Sequence, residues 1–266
     1  MSLNKLNILN KILNIFGAKS YRQTDSEKIL DIISLLKPYN TEIPLIRIGS
    51  DGDGGYLVPD VLDDIKFCFS VGVGKSSSFE ENLEKLGIKN FLADKSVDKP
   101  AAELDNFTFD KKNIHSFNDK DKINVNDWLY SKIDSSEINK SILQIDTDGF
   151  EYEILISLNE KILSEIKILI IEFHGLELVG NEYFNFIFKS VLNKISNFHT
   201  VVHLHPNNCC GIEKVNKYKI PSVLEVTFLN NKFIKEKKPV EKLPHYLDKK
   251  NVEKKKEIYL ESYWLK

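Results

Sequence analysis

The sequence lacks a surplus of charge of either sign. Its 266 residues include 37 basic and 39 acidic side chains, which gives a formal net charge of -2. Proteins that bind nucleic acid displace counterions from the phosphates with an excess of lysine and arginine. We therefore expect no nucleic-acid partner. The lysine-rich segment "KKNVEKKKE" (residues 249–257) is interpreted as a solvated surface, with a polyanion-binding patch as the alternative.

Cysteine is scarce as well. The chain has three, Cys68, Cys209 and Cys210, and none belongs to a C-x-x-C motif, which argues against a structural zinc ribbon. Three cysteines cannot all pair, and neighbours such as Cys209 and Cys210 rarely bridge each other. We therefore predict a reduced, cytoplasmic compartment. Both neighbours are interpreted as packing residues rather than nucleophiles.

Long hydrophobic runs and a secretory signal are also missing, so we predict no integral membrane segment. The N-terminal segment "LNKLNILNKILNIFG" (residues 3–17) is too short and too polar to span a bilayer, but Leu6, Leu9, Leu13 and Phe16 fall at helical spacing. We interpret it as a helix packed on its own domain. The alternative is a surface helix that touches a membrane or a partner.

The domain boundaries follow from changes in pattern along the chain. A second amphipathic helix is predicted in "SEKILDIISLLKPY", with Ser26 as its cap, so residues 1–40 form an N-terminal helical extension. Residues 41–235 form the main domain, which opens with a glycine-rich loop or hairpin in "IRIGSDGDGGYLVPD". Residues 236–266 form a charged C-terminal extension packed on that domain.

Short apolar segments alternate with helical patterns from about residue 66 onward. Such alternation predicts right-handed βαβ crossovers and a mainly parallel sheet whose strands are buried on both faces. The last two strands, in "FHTVVHLHPNN" and "SVLEVTFLNN", are joined by a loop, which predicts an antiparallel strand at one edge. The expected fold is therefore α/β, with a doubly wound, seven-stranded, mainly parallel sheet. The strand segments are "KFCFSVGVG", "IKNFLADKS", "NFTFDKKNI", "KSILQIDTDG", "EIKILIIEFHG" and the two just named.

Polar residues collect where these strands end. In a doubly wound sheet, ligands bind beyond the carboxyl ends of the strands. Buried carboxylates are costly unless they are paired or used, so this edge is the predicted site. The residues at the strand ends are Gly72 and Gly74, Asp94, Asp146 and Asp148, Glu172 and His174, and finally His203, His205, Asn207 and Asn208.

The first strand ends in a Gly-x-Gly turn, "SVGVGKSSSF", which lets a ligand approach the backbone closely. A dinucleotide fingerprint requires a third glycine, and Ser77 stands there instead. Asp94, at the end of the next strand, is placed to accept hydrogen bonds from ribose hydroxyls. These features fit a nucleoside cofactor that has little or no phosphate, such as S-adenosylmethionine.

The chain resembles the FkbM family of S-adenosylmethionine-dependent methyltransferases, which have the class I methyltransferase fold. The resemblance spans roughly residues 46–177 and extends to "HLHPNN". Its most diagnostic part is the pattern Asp-x-(Asp/Glu)-Gly-x-Glu, here "DTDGFE" (residues 146–151). The chain has Asp148 where the family usually has Glu, and Ser70 where many class I enzymes have an acidic residue. The resemblance to the family is also carried by the segments "IRIGSDGDGGYLVPD", "CFSVGVGKSSSFEENL", "FLADKSVD" and "IIEFHGLE".

The resemblance implies transfer of a methyl group to a hydroxyl of a sugar, a surface polysaccharide or its phosphoryl-type decoration, or a related small molecule. An NAD-dependent sugar oxidoreductase or epimerase and a non-catalytic α/β binding domain are the alternatives. Asp148 and Glu151 are expected to cap and tether the following helix. The residues expected to bind the cofactor are Asp53, Gly54, Gly55, Tyr56, Gly72, Val73, Gly74, Phe79, Asp94, Lys95 and Asp146.

A hydroxyl acceptor must lose its proton, and histidine is the side chain best suited to accept it near neutral pH. His174 is the first candidate and His203 is the next. The resemblance implies a catalytic position for Asp146 as well, beside the reactive methyl group and the acceptor. His205 and His199 are placed with His203 on one face of the sixth predicted strand. For each histidine the alternative is a structural, hydrogen-bonded role. A divalent metal on Asp146, Glu172, His174 and His203 is a further alternative, but no spaced motif supports it, so we expect no metal.

Overall fold

The computed structural model describes residues 3–17, 20, 23–74 and 76–265. The helices are α1 (Leu3–Leu13), α2 (Ser26–Leu35), α3 (Ser78–Lys85), α4 (Val125–Lys132), α5 (Glu151–Ser157), α6 (Glu160–Leu163) and α7 (Glu182–Ser196). The strands are β1 (Tyr39–Thr41), β2 (Leu45–Gly49), β3 (Gly55–Pro59), β4 (Phe67–Val71), β5 (Lys89–Ala93), β6 (Phe107–Asp110), β7 (Asn113–His115), β8 (Lys122–Asn124), β9 (Ser141–Ile145), β10 (Ile168–His174), β11 (His199–Pro206), β12 (Ile212–Val215), β13 (Tyr218–Pro221), β14 (Val223–Asn230) and β15 (Lys237–Pro239).

Seven strands form the central sheet, in the order β11-β14-β10-β9-β4-β5-β6. The pairings of β4, β5, β6, β9 and β10 with one another are parallel, and only β14 runs against its two neighbours. The structure therefore confirms a Rossmann-like, mainly parallel α/β sheet. The predicted position of the antiparallel strand was wrong, because β14 lies between β10 and β11 rather than at the edge. It returns from β11 through the hairpin β12–β13, without a crossover helix, and so runs in the reverse direction.

The chain leaves β4 in two directions across the sheet. It first builds β5 and β6 on one side, and then β9 and β10 on the other. This reversal of strand order makes the carboxyl ends of β4 and β9 a topological switch point, where doubly wound sheets bind ligands. Val71 lies opposite Ile145 in the β4–β9 register, so the residues that follow, Gly72 and Asp146, lie side by side.

Each face of the sheet carries its own apolar layer, as period-two alternation requires. Phe69, Leu143 and Leu169 belong to the larger core, which also includes side chains from α2, α4, α5 and α7. Cys68, Ile142 and Ile168 belong to the second core, under α3 and the β2–β3 hairpin. The hairpin was predicted from its glycine and aspartate cluster. The hairpin covers the face of the sheet on which the polar strand ends lie.

Both terminal segments contribute to the main domain. Ile29, Ile33 and Leu36, from α2 and its end, lie in the larger core together with Trp264 near the C-terminus. Strand β15 pairs with β1. Among the described residues, the segments before residue 41 and after residue 235 therefore share the hydrophobic core of the main domain and do not form cores of their own. Helix α2 begins at Ser26 as its first residue, with Asp25 in the capping position.

Helix α1 differs from α2 because its apolar side is uncovered. Ile8 is 61% exposed, Ile12 is 54% exposed and Phe16, just beyond the helix, is 78% exposed. These described side chains are not packed on the domain, and contact of the helix with a membrane or a partner stays a prediction. Among the described helices, none has the length and apolar character needed to cross a membrane.

The cysteines differ from expectation in one respect. Cys68 is free and buried, and burial raises the pKa of its thiol, so it behaves as a packing residue. Cys209 and Cys210, just after β11, are joined in a disulfide between adjacent residues. The prediction that these two would remain unpaired was therefore wrong. The cytoplasmic location stays a prediction.

His199, at the start of β11, is a structural histidine. It is 3% exposed, its Nε2 lies 2.9 Å from the carbonyl oxygen of Ile166, and burial lowers its pKa to about 4. A bulge between Val201 and His203 shifts the alternation along β11, so His199 does not share a face with His203 and His205 as predicted.

The buried His199 predicts a loss of stability in mild acid. Between pH 6.5 and about 4 the unfolded chain binds a proton at this residue that the folded chain does not. The free energy of unfolding should therefore fall by up to about 3 kcal/mol from this residue as the pH drops through that window. Urea unfolding at pH 7 and pH 4.5 measures the fall, which should be smaller in His199→Gln. The same pH dependence in the variant and the wild type would contradict the assignment.

Candidate active site at the carboxyl ends of the strands

The turn after β4 requires glycine at Gly72. Its φ is +81°, and an added Cβ would lie 1.5 Å from the carbonyl oxygen of Asp146. No side chain fits that space, so Gly72 allows the ends of β4 and β9 to meet. Gly74 also has a positive φ of +56°, but nothing lies within 4 Å of its ideal Cβ position. The turn is thus packed tightly against Asp146 at Gly72, whereas there is free space beside Gly74.

Asp94, at the end of β5, holds this turn. Its Oδ2 accepts hydrogen bonds from the backbone N–H groups of Val73 (3.0 Å) and Gly74 (2.9 Å). Its Oδ1 accepts from the N–H (2.6 Å) and hydroxyl (2.7 Å) of Ser96. Burial alone would raise the pKa of Asp94, but the hydrogen bonds from Ser96, Gly74 and Val73 outweigh it and lower the pKa. Asp94 is therefore a fixed anion at the turn.

Two cavities meet at the turn, and both are lined by Gly72, Gly74 and Asp146. The larger turn cavity has a volume of about 310 Å³ and the smaller turn cavity about 80 Å³. Side chains that line the larger one include Asp94, Ser96, Ile114, His115 and Phe150. Side chains that line the smaller one include Asp53, Tyr56, Phe79, Glu80 and Gln144. The two cavities thus lie next to each other at the switch point and share the lining residues Gly72, Gly74 and Asp146.

The smaller turn cavity is rich in hydrogen-bond acceptors. Gln144 is 4% exposed, and the only partner found for its amide among the described residues is the Tyr56 hydroxyl, 3.5 Å from Nε2. Its Oε1 is buried without a partner. Asp53 and Asp146 add carboxylates to the same cavity. Because an unpaired buried acceptor is costly, this chamber suits a ligand that carries a cationic or donor group.

Glu151 ties the loop after β9 to the end of β10. Its side chain is fully buried, Oε2 accepts from the N–H of Gly149 (2.9 Å), and Oε1 accepts from the N–H of His174 (2.7 Å). The prediction was that Glu151 caps and tethers the following helix. In the structure it also joins the ends of two strands. Asp148 lies exposed with a φ of +51°. The tether fixes where His174 and Asp146 lie relative to each other.

His174 is surrounded by carboxylates. Its Nε2 lies 3.7 Å from the nearest oxygens of Asp146, Asp148 and Glu172. Burial lowers the pKa of His174, but the contact with Glu151 and the charges of Asp146 and Asp148 outweigh burial and raise it. Burial raises the pKa of Asp146 to about 7, against the opposing charge of His174. A proton can therefore be exchanged within this pair near neutral pH.

Further acids lie beside this pair, under the hairpin. Glu172 and Glu225 face each other across β10 and β14. Burial raises the pKa of Glu225 to about 7 and, with the charges of Asp146 and Glu225, raises that of Glu172 well above its ordinary value. The amide of Asn207 donates to Glu172 (3.0 Å), and that of Asn251 donates to Glu225. These side chains form a hydrogen-bonded cluster beside the His174–Asp146 pair.

His203 does not join the predicted site. Its Nε2 lies 2.9 Å from Asp248, which also lies 3.7 Å from His205. Burial would lower the pKa of His205, but Asp248 and Glu225 raise it to about 9. His203 instead lines a separate cavity of about 500 Å³ beside β11, with residues from 40–45 and 236–245. The structure therefore places His203 apart from the two turn cavities, beside the C-terminal segment, and its catalytic role stays a prediction.

The structure brings together most of the predicted cofactor-binding residues. Gly55 and Lys95 are exceptions, since neither lines the two turn cavities. Gly55 packs against the carbonyl of Ser50, and Lys95 forms an ion pair with Asp121 (2.7 Å). The residues that do line the cavities are Asp53, Gly54, Tyr56, Gly72, Val73, Gly74, Phe79, Asp94 and Asp146.

The sequence-based reasoning missed Gln144 and Asn251. Gln144 precedes Asp146 by two residues on the same strand, so period-two alternation points it to the same face; that signal was present in the sequence. Asn251 lies in the lysine-rich segment and had no local signal.

Comparison with known proteins adds no family assignment. No protein-family model matches the chain, and no curated protein matches it.

The tether made by Glu151 predicts a clear difference between two neighbouring acids. Glu151→Gln should lower the free energy of unfolding by about 1–3 kcal/mol, because one of its N–H partners would then face an amide NH₂. Asp148→Asn is the control, since its side chain is 98% exposed and asparagine tolerates a positive φ. Denaturant unfolding of both variants measures the difference. An equal loss of unfolding free energy in the two variants would contradict the role of Glu151 in joining the two strand ends.

Proposed function

We propose that the protein is an S-adenosylmethionine-dependent O-methyltransferase of the class I fold, related to the FkbM family. The observation that carries the proposal is the Gly72–Gly74 turn, held by Asp94 and open to two cavities at the switch point between β4 and β9. Counted along the chain, the strand order is 3-2-1-4-5-7-6 with strand 7 reversed. A seven-stranded, mainly parallel sheet with one reversed strand is what the resemblance to class I methyltransferases implies, and it supports the proposal.

The two turn cavities fit the two ends of this cofactor. The larger one, with Asp94 on its wall, suits a nucleoside whose ribose hydroxyls replace the N–H and hydroxyl of Ser96 as donors to Oδ1 of Asp94. The smaller one, with the unpaired Gln144 oxygen and Asp53, suits an amino-acid ammonium group. Ser77 stands where a pyrophosphate-binding turn would have its third glycine, and its hydroxyl accepts from the N–H of Ala101 (3.1 Å). These features favour the methyl donor over NAD.

The cofactor, when bound, supplies a methyl group on a positively charged sulfur. In the proposed reaction the acceptor oxygen bonds to the methyl carbon, the carbon–sulfur bond breaks, and sulfur keeps the electron pair. The acceptor hydroxyl gives up a proton, and the His174–Asp146 pair is the group proposed to accept it. The tether from Glu151 holds them in place, so positioning contributes to the rate.

The acceptor in this proposal is a hydroxyl of a sugar, of a surface polysaccharide or its phosphoryl-type decoration, or of a related small molecule. This class of acceptor rests on the resemblance to the FkbM family. An enzyme with this donor works where the donor is made, so we place the protein in the cytoplasm.

Calorimetric titration with S-adenosylmethionine and S-adenosylhomocysteine, with NAD as a control ligand, tests the proposal. Asp94→Ala should weaken binding of the first two by about 1–3 kcal/mol, because it removes the ribose acceptor and loosens the turn. Asp98→Ala is the matched control; Asp98 pairs with Lys111 on the surface, and its side chain is 90% exposed.

Unchanged affinity in Asp94→Ala would show that the nucleoside lies elsewhere. Binding of NAD alone would favour an oxidoreductase or epimerase. No binding of any of the three would favour a non-catalytic domain.

A further inference from the structure

Helix α1 and the turn that continues it have one apolar side, and that side is uncovered. Ile8, Ile12 and Ile15 follow one another at intervals of four and three residues, so they lie on the same side. All three are more than half exposed, and Ile15 reaches 79%. Asn10 and Asn14 fall on the opposite side by the same spacing. The segment is therefore amphipathic, with its apolar side in contact with water.

The chain that follows α1 folds back against the polar side. Oδ1 of Asn10 accepts a hydrogen bond from the backbone N–H of Ser20 (2.6 Å), and Nδ2 of Asn10 donates to the carbonyl oxygen of Ser20 (2.9 Å). These bonds hold the returning chain on the asparagine side of the helix. The isoleucine side is thus left free to meet another surface.

Positive charge is concentrated in the same part of the sequence. Residues 1–24 contain four basic side chains and no acidic one, and the first carboxylate along the chain belongs to Asp25. The whole chain has a formal net charge of -2, so this excess is local. Basic residues beside an apolar helix side are the two features of a helix that lies in the plane of an anionic membrane surface. The basic residues are Lys5, Lys11, Lys19 and Arg22.

A second exposed apolar group lies where this segment joins the domain. The N–H of Thr24 donates to the carbonyl oxygen of Gly180 (2.8 Å), just before α7 begins. On the first turns of α7, Tyr183 is 83% exposed and Phe186 is 72% exposed, three residues apart on one side. Eight residues separate Phe16 from Thr24, which limits the gap to about 28 Å. Helix α1 and this aromatic pair can therefore contact one surface together.

Ion pairs neutralise two carboxylates at this end of α7. Glu182, which precedes Tyr183, pairs with Lys28 (2.7 Å), and Asp31 pairs with Lys189 (2.7 Å). Neither pair adds net charge beside the exposed aromatic side chains. The approach of an anionic surface is thus not opposed by these two acids.

We infer that α1, together with the exposed aromatic pair of α7, binds the surface of a membrane that contains anionic lipids. The apolar side of α1 enters the boundary between headgroups and acyl chains, and the basic residues of the segment lie among the headgroups. A free phosphate or another small anion offers no apolar phase, so it does not replace the lipid. The inference does not depend on the methyltransferase assignment.

Flotation of the full-length protein with lipid vesicles tests the inference. One set of vesicles is phosphatidylcholine alone, and the other is an equimolar mixture of phosphatidylcholine and phosphatidylserine. We expect binding to the mixture to be at least about tenfold tighter than to phosphatidylcholine alone, and to weaken as salt is raised.

The substitution Ile12→Asn should weaken binding to the mixture by at least about tenfold, because it removes one isoleucine from the buried side. Phe186→Asn should weaken it by a similar factor. Ile156→Asn is the matched control, since Ile156 is also half exposed but lies on α5, where its carbonyl oxygen accepts from Lys194 near the far end of α7. Binding by this control should equal that of the wild type. Circular dichroism checks that each variant is folded.

Absence of binding to the mixed vesicles by the folded wild type would overturn the inference. Equal binding to both vesicle types would overturn the role of anionic lipid. An equal loss in Ile12→Asn and Ile156→Asn would overturn the role of α1, and full binding by Phe186→Asn would overturn that of α7. Light scattering supplies one further outcome. A dimer that Ile12→Asn converts to a monomer, without vesicle binding, would also overturn the inference and assign the apolar side to a second copy of the chain.

Discussion

The close approach of Gly72 to the backbone of Asp146 is the constraint on which the site depends. A side chain at position 72 would overlap the Asp146 carbonyl oxygen, so the carboxyl ends of β4 and β9 can meet only with glycine there. Asp94 then holds the turn from the other side through two backbone N–H groups. Both turn cavities are lined by Gly72, Gly74 and Asp146, so their shape depends on the position of this turn.

The buried acids follow from the same arrangement. Asp146, Glu172 and Glu225 all lie at the strand ends on the face covered by the β2–β3 hairpin, where burial raises their pKa values. Asparagine amides compensate Glu172 and Glu225, whereas His174 is the close contact of Asp146. Uncompensated acceptors are costly in a folded protein. Asp146 is the one of these three acids that lines the turn cavities, and its carboxylate there suits a ligand that carries positive charge.

Much of the fold could be predicted from local pattern. The seven strands of the sheet match the apolar segments read from the sequence, because strands buried on both faces leave continuous hydrophobic runs. The position of β14 could not be predicted, since its pairing with both β10 and β11 is long-range. The role of Asn251 was hidden for the same reason: it lies in a lysine-rich segment and reaches Glu225 only in the folded chain. The pairing of His203 with Asp248 is another contact of this kind.

A crystal structure of the protein with S-adenosylhomocysteine tests the central claim most directly. The account predicts the nucleoside in the larger turn cavity beside Asp94, with the sulfur near Gly72 and Asp146 and the ammonium group toward Gln144. Binding in the separate cavity beside His203, or an undisturbed turn with no ligand at saturating concentration, would contradict it.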